Sequence, residues 1–522
     1  MRDLPERVAL VGGFVADGSG GEPRIADVVM ADGRIGAIVP AGERPAGGYD
    51  ALVVDCAERV VAPGFVDVHC HSDLSLIAYP GNASRVTQGV TTEVVGNCGM
   101  SPAPGNGDRS GLSRIIGPVD VTPGLEWTWN DFPGWMRALE DAPTATNVAV
   151  QVGHGSARFA VAGLAATVLG TEGLDALERE LSAAFESGCV GASLGLMYAP
   201  GESAGAAELE RVARVAAAHD GVLSVHLRDY RARALRAAID EVAVPAARAG
   251  ARLQISHLRA IGGEEGYEDA VDHIDRLRTA GVDVAADAYP YVHGHTTLLQ
   301  LLPSAVRAAG PDAAVAAAVA DREGVARALA DSGSAPEQII VMKAAATPEA
   351  VGLSAGERTE DPWEWLVDLL VANDGLVDVA VESGRWADVD HALRTPWVSI
   401  ASDGTALDAS HSTSAPHPRS WGAFSAGYRR MRDLGIGVGQ AVRRMSTGPA
   451  ARVGLRSGIA PGARADVVVF DDARFGSAAT FARPATASSG IQHVFVNGVA
   501  VMEGGRPTNH RPGALLRKGS NE

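Results

Sequence analysis

The chain has 522 residues, 46% of them apolar, enough for a large core and, at roughly 100 to 200 residues per domain, for more than one domain. Its 45 basic against 63 acidic residues leave a net charge of −18, which argues against nucleic-acid and anionic-membrane partners, because both reward positive patches. Four scattered cysteines, Cys56, Cys70, Cys98 and Cys189, cannot form a secreted disulfide framework, and neither a signal peptide nor an apolar run of about 18 residues is present, so a cytoplasmic setting is expected.

Residues 1–61 read as short strands and turns, with RIADVVMADGRIGAIVP forming two apolar runs joined by Asp32-Gly33. From residue 62 onward, short apolar runs alternate with Ala-rich helical stretches such as GLDALERELSAAFESG, the pattern of βα units on a parallel sheet. Eight strand candidates follow in order, at 64–71, 91–98, 147–154, 189–196, 221–228, 252–259, 282–289 and 397–403. Eight is the number that closes a (β/α)₈ barrel. More than 100 residues separate the last two strands, and an Ala-rich, acidic insertion near 300–360 is expected to cap the barrel mouth. After residue 450 the β-rich style returns, with Asn497-Gly498 as a hairpin signal. The expected fold class is therefore α/β: a TIM-like barrel over 62–450, and a small β-sandwich domain built jointly from 1–61 and 451–522.

Nearly every barrel strand ends in a polar or metal-capable residue: His69 and His71, Cys98, His154, Ser193, His226, His257, Asp287 and Asp403. Barrel enzymes gather catalytic groups at these C-terminal strand ends. His69 and His71 alternate on one strand and share a face, which sends Cys70 the other way as an apolar filler. His226 and His257 close their strands in what reads as the same phase, VHLR and SHLR. A hydrolytic site with two divalent cations needs an anionic bridge between them. One common solution, a carbamylated strand-end lysine, is not open to this chain, whose two lysines are Lys343 and Lys518, in the insertion and the tail. The available substitute is the Cys98 thiolate, a strong zinc ligand, in VVGNCGMSPAP. Asp403 in ASDG reads either as a turn aspartate or as a general acid and base. His154 and Asp287 are expected either to support the site from behind or to serve the structure, rather than to bind metal.

The segments APGFVDVHCHSDL, QGVTTEVVGNCGMSPAP, GASLGLMYAPG, VHLR, ISHLR, DAYPY, SDG, HPRSWGAFS and ADVVVFD resemble, in order, the amidohydrolase superfamily and within it the D-aminoacylases, or N-acyl-D-amino-acid deacylases. The resemblance implies a zinc hydrolase that cleaves the acyl amide of small N-acyl-D-amino acids through a metal-activated water. Position by position, it implies tight zinc on Cys98, His226 and His257, and a weaker second site on His69 and His71 sharing Cys98. It makes Asp403 the general acid and base, and Tyr198, Arg259 and Tyr289 or Tyr291 the groups that bind the substrate carboxylate. Two positions depart from the pattern: Arg259 stands where the family often has lysine, and Leu194 where threonine commonly follows serine. Two other readings stay open at this stage, a cyclic-amide hydrolase of the hydantoinase or dihydroorotase kind and a catalytically inactive scaffold.

Overall fold

The computed structural model describes residues 7–44, 48–117, 119, 122, 124–164, 167–263, 265–303, 306, 311–358, 361–408 and 415–518. Its centre is a parallel eight-stranded sheet made of Phe65–Asp67, Val90–Val95, Asn147–Gly153, Gly191–Gly195, Val222–His226, Arg252–Ile255, Val284–Ala288 and Val398–Ile400, each paired with the next. Just beyond their ends the first and eighth strands meet through two backbone hydrogen bonds, Asp403 N to His69 O and His71 N to Gly404 O, both 2.8 Å. The barrel is thereby nearly closed at the rim that carries the polar residues.

The helices between the strands form because their apolar residues recur at helical spacing. In Thr171–Glu186 the buried face is Leu177, Leu181, Ala184 and Phe185; in Ala232–Ala249 it includes Leu235, Ile239, Val242 and Ala246. These faces pack on the outward residues of the strands, such as Val150, Val225 and Ile255, in one large core. Inside the barrel a smaller cluster of Val66, Val94, Ala149, Val222 and Ala401 fills the lower layers. The C-terminal tail seals this end: Leu516 joins that cluster, and its N–H bonds Val148 O at 2.7 Å.

Both chain ends build one nine-stranded sheet, in which Val60–Pro63 pairs with Val467–Phe470 on one side and Arg7–Val15 on the other. Asp32 and Gly33 have φ of +52° and +73°, and Asn497 and Gly498 +50° and +80°, so both hairpin turns are of the primed type that Asx-Gly favours. The sheet curls until Ile35 and Gly33 bond the 463–465 segment, closing around Leu10, Val28, Val61, Val467 and Phe495.

Between the seventh and eighth barrel strands lies a separate unit. Its strands His293–Thr297, Val377–Glu382 and Ile339–Ala344 form an antiparallel sheet. Helices Arg322–Ala330 and Pro362–Ala372 pack against that sheet over their own core of Leu298, Leu329, Val341, Leu366 and Val379. The described residues of the stretch 300–360 fall inside this unit, which stands over the barrel mouth as a cap.

Candidate active site

Of the rim residues Ser193, His226 and Asp287 belong to strands, whereas the others lie beyond strand ends, and that shift decides where they point. The turn after the second strand is shaped by two glycines. Gly96 has φ +81°, and a Cβ there would stand 2.0 Å from Gln151 O; at Gly99, φ +74°, it would stand 2.6 Å from Gly195 N. Asn97 ties the turn down by donating to Val94 O at 2.8 Å and Cys70 O at 3.3 Å, while Ser193 Oγ accepts from Gly99 N at 2.9 Å. Ser193 therefore serves the Cys98 turn. Cys98 itself takes φ +53°, and His257 and Asp403 take +34° and +48°. Three rim residues in a left-handed conformation that L side chains rarely adopt mark strain held by surrounding structure, a common property of functional sites.

The phase of His257 differs from the expectation. His226 continues the inward row of Val222 and Ser224, whereas His257 shares the parity of Ile255, which packs outward. Regular alternation would send His257 into the helix layer; the positive φ turns it back. Cys98 Sγ then lies 3.6 Å from His257 Nε2 and 3.3 Å from His69 Nε2. With zinc–sulfur and zinc–nitrogen bonds of about 2.3 and 2.0 Å, ligands around a tetrahedral ion stand roughly 3.3 to 3.6 Å apart, so these residues fit zinc. His226 stands beside this trio, its ring 4.6 Å from that of His257, and both its ring nitrogens are buried without a hydrogen-bond partner. His69, His71 and Asp403 make a second group: Asp403 Oδ1 is 3.4 Å from His69 Nε2 and 3.2 Å from His71 Nε2.

Charge states follow from these neighbours. Burial pushes the Cys98 thiol up, but His69, His226 and His257 overrule it and hold it well below the ordinary thiol range, so it is a thiolate. Burial dominates at the other cysteines: Cys56 and Cys189 rise to about 12, and Cys70, with its Sγ 3.3 Å from Val94 O in the outer core, rises well above its usual value. Asp403 is likewise pushed up by burial and pulled well below the carboxylate range by Arg419, then by His69 and His257. Arg419 Nη1 is 2.7 Å from Asp403 Oδ2. Burial, then His257, lowers the His226 pKa, leaving a neutral imidazole with a lone pair to give. Asp287 supports from behind: its Oδ1 lies 3.1 Å from His69 Nδ1 and accepts from His257 N at 2.7 Å. His154 is remote from this cluster and pairs with Glu208 at 2.7 Å.

Above this floor opens a cavity of about 600 Å³ walled by the barrel rim and the cap, with Cys98, His226, His257 and Asp403 at its base. Tyr198, Arg259 and Tyr289 line it. Arg259 donates to Tyr289 Oη at 2.6 Å, to Ser383 Oγ at 2.7 Å and to Val292 O at 3.3 Å, while its Nε is buried with no partner.

The amidohydrolase family model matches residues 52–502. The chain is 34% identical over 531 residues to N-acyl-D-glutamate deacylase of Alcaligenes xylosoxydans xylosoxydans, covering 99% of this chain and 98% of the relative. It is 31% identical to D-aminoacylase of the same organism over 98% of each chain. The crystal structure of N-acyl-D-glutamate deacylase from Bordetella bronchiseptica, solved with zinc and a phosphonate inhibitor that mimics the reaction's tetrahedral intermediate, superposes with a TM-score of 0.80 at 32% identity, covering 98% of this chain and 99% of that one. The chain belongs to the amidohydrolase family, in its D-aminoacylase branch.

Of the two departures from the D-aminoacylase pattern, one is remote from the cavity and one lies in it. Leu194 packs in the outer core, so the missing hydroxyl never faces the site. Arg259, in contrast, is fixed at three points and presents a planar fork where a lysine would present a point charge. Tyr291 does not line the cavity: its ring packs on His417 at 5.4 Å and its hydroxyl lies against Gly422. Two neighbours escaped the sequence reading. Tyr230 packs between His226 and His257, ring centres at 5.2 and 5.3 Å, and donates to Ser256 O at 3.0 Å; the only signal was its position in VHLRDY. Arg419 sits in HPRSWGAFS, a segment quoted above, but 16 residues beyond Asp403, a distance that hides an ion pair.

Proposed function

We propose that the chain is a zinc-dependent N-acyl-D-amino-acid deacylase, which hydrolyses the acyl amide to a carboxylate and a free D-amino acid. The observation that carries this reading is the meeting, in one cavity, of the Cys98 thiolate with its histidines, the ionised Asp403, and an Arg259 that no carboxylate among the described residues neutralises. Cys98, His226 and His257 would hold the tight zinc, with His69 and His71 sharing Cys98 at a weaker second place. Zinc bound there supplies Lewis-acid polarisation of the amide carbonyl and makes water more acidic.

The remaining work falls to side chains of the chain itself. Asp403 accepts a proton from the water whose oxygen bonds to the carbonyl carbon, then returns it to the amide nitrogen as the carbon–nitrogen bond breaks. The return matters because an amine anion is a very poor leaving group. Arg419, 2.7 Å away, keeps Asp403 ionised and hence able to accept. Arg259, braced by Tyr289, and Tyr198, whose ring lies 4.8 Å from that of His226, bind the substrate α-carboxylate and so set the amide against the floor. A small soluble substrate and a cytoplasmic setting belong to this reading, supported by four free, buried cysteines; among the described residues no helix is long and apolar enough to cross a membrane.

The test is an assay of N-acetyl-D- and N-acetyl-L-amino acids with and without a chelator. The D-series should be hydrolysed, lose turnover on chelation and regain it with zinc. Turnover confined to cyclic amides, or none at all, would overturn the reading.

A further inference from the structure

Resting on the deacylase reading above, we propose that the amino-acid side chain accepted by this cavity is neutral and apolar, so that the substrate carries one carboxylate rather than two. The relatives leave this choice open, since N-acyl-D-glutamate deacylase and D-aminoacylase match the chain at 34% and 31%. The charges on the cavity wall decide it.

Four guanidinium groups line the cavity, and three already have a carboxylate. Arg228 donates through Nε to both oxygens of Glu241, at 3.0 and 3.1 Å, and to the carbonyls of Glu202 and Ala204 at 2.6 and 3.0 Å. Arg231 is paired with Asp229, its Nε 3.0 Å from each oxygen. Arg419 is paired with Asp403. That leaves Arg259, which among the described residues donates to a tyrosine hydroxyl, a serine hydroxyl and a backbone carbonyl and meets no carboxylate. One unneutralised guanidinium matches one carboxylate, and the α-carboxylate is common to every substrate of this class.

To this wall the described residues of the cap add no second cation; Lys343 of the cap lines a smaller adjoining cavity, together with His71, Asp378 and Asp403. Among its described residues on the cavity wall the one charged side chain is Asp331, an acid. His295, the other nitrogen base there, is lowered to about 3 by burial and then by Arg419, and so is neutral. Arg385 lies outside this wall and is held by Asp388 at 2.8 Å. What the wall does offer is apolar: Met100, Met197, Ile261, Leu301, Leu302 and Val381. A side-chain carboxylate would give up its hydration against these groups and face Asp331 and Asp403 without compensation, whereas a methionine or leucine side chain would bury apolar surface there.

The experiment measures kcat/KM of the zinc-loaded protein for the N-acetyl derivatives of D-methionine, D-leucine, D-glutamine, D-glutamate and D-aspartate. The expected result is D-methionine or D-leucine ahead of both acidic substrates by at least tenfold, with D-glutamine ahead of its charged isostere D-glutamate. An acidic substrate within tenfold of the best neutral one, or D-glutamate ahead of D-glutamine, would overturn the proposal while leaving deacylation intact. Chelator-sensitive turnover of none of the five would instead remove the deacylase reading, and the proposal with it.

Discussion

Asp403 touches His69, His71 and Arg419 within 3.4 Å, and an asparagine keeps that shape while losing the basic oxygen. Asp403→Asn is therefore expected to fold, to bind zinc and to lose about 10² to 10⁴ in kcat, the usual worth of one general acid and base. Melting temperature, zinc content and kcat measured on one preparation check this. A folded, zinc-loaded variant within about tenfold of the parent would return Asp403 to the role of a turn residue. The cysteines make a matched pair of tests. Cys98→Ala is expected to lose zinc and activity together, because the thiolate is the anion of the cluster. Cys70→Ala, which removes only a buried sulfur from the outer core, should cost about 1 kcal/mol of stability and retain its zinc. Full zinc occupancy by elemental analysis in the Cys98 variant would sink the assignment.

The turn that aims Cys98 is the most demanding element of the site. Gly96 combines φ +81° with a carbonyl 2.0 Å from where a Cβ would be, and that carbonyl belongs to the neighbouring barrel strand, which cannot yield. Gly42 has a comparable φ, +92°, but nothing within 4 Å. Gly42→Ala should cost about 1 kcal/mol from backbone strain alone and leave zinc binding unchanged. Gly96→Ala should lower the melting temperature further and reduce zinc content as well, since Cys98 is two residues on. Equal zinc content in the two variants would show that the turn has more freedom than its contacts imply.

At the scale of the whole molecule, the cavity is walled jointly by the barrel rim and by a cap with its own core, while the proposed ligands come from the ends of the first, second, fifth and sixth strands. An ion held by all four ties one half of the barrel to the other, and binding to the folded state alone stabilises it by about 2.7 kcal/mol when the ion is at a hundred times its Kd. Chelation is therefore expected to lower the melting temperature by about 2 to 3 °C and abolish turnover, and zinc should restore both. The melting temperature of Cys98→Ala should not respond to chelator. A parent protein whose unfolding ignores chelator would count against metal as part of the fold.

The sequence by itself determined the order and number of the barrel strands, because apolar runs alternating with Ala-rich amphipathic stretches admit little else. It also determined the two Asx-Gly hairpins, because few other dipeptides take positive φ at both positions so readily. The polar residues at the strand ends were legible for the same local reason. Tertiary structure alone decided where those residues point. His257 lies on the outward parity of its strand and reaches Cys98 only through a left-handed turn, and Tyr289 faces the cavity where Tyr291, two residues on, does not. Nor could periodicity reveal the Arg419–Asp403 pair, which joins the start of a late helix to the end of the eighth strand, or the pairing of Arg228 with Glu241 on the following helix, since charge pairing depends on distance in space; Arg231 pairs locally, with Asp229 two residues before it. Composition counted the arginines; the packed barrel and cap decided which one on the cavity wall has no carboxylate beside it among the described residues.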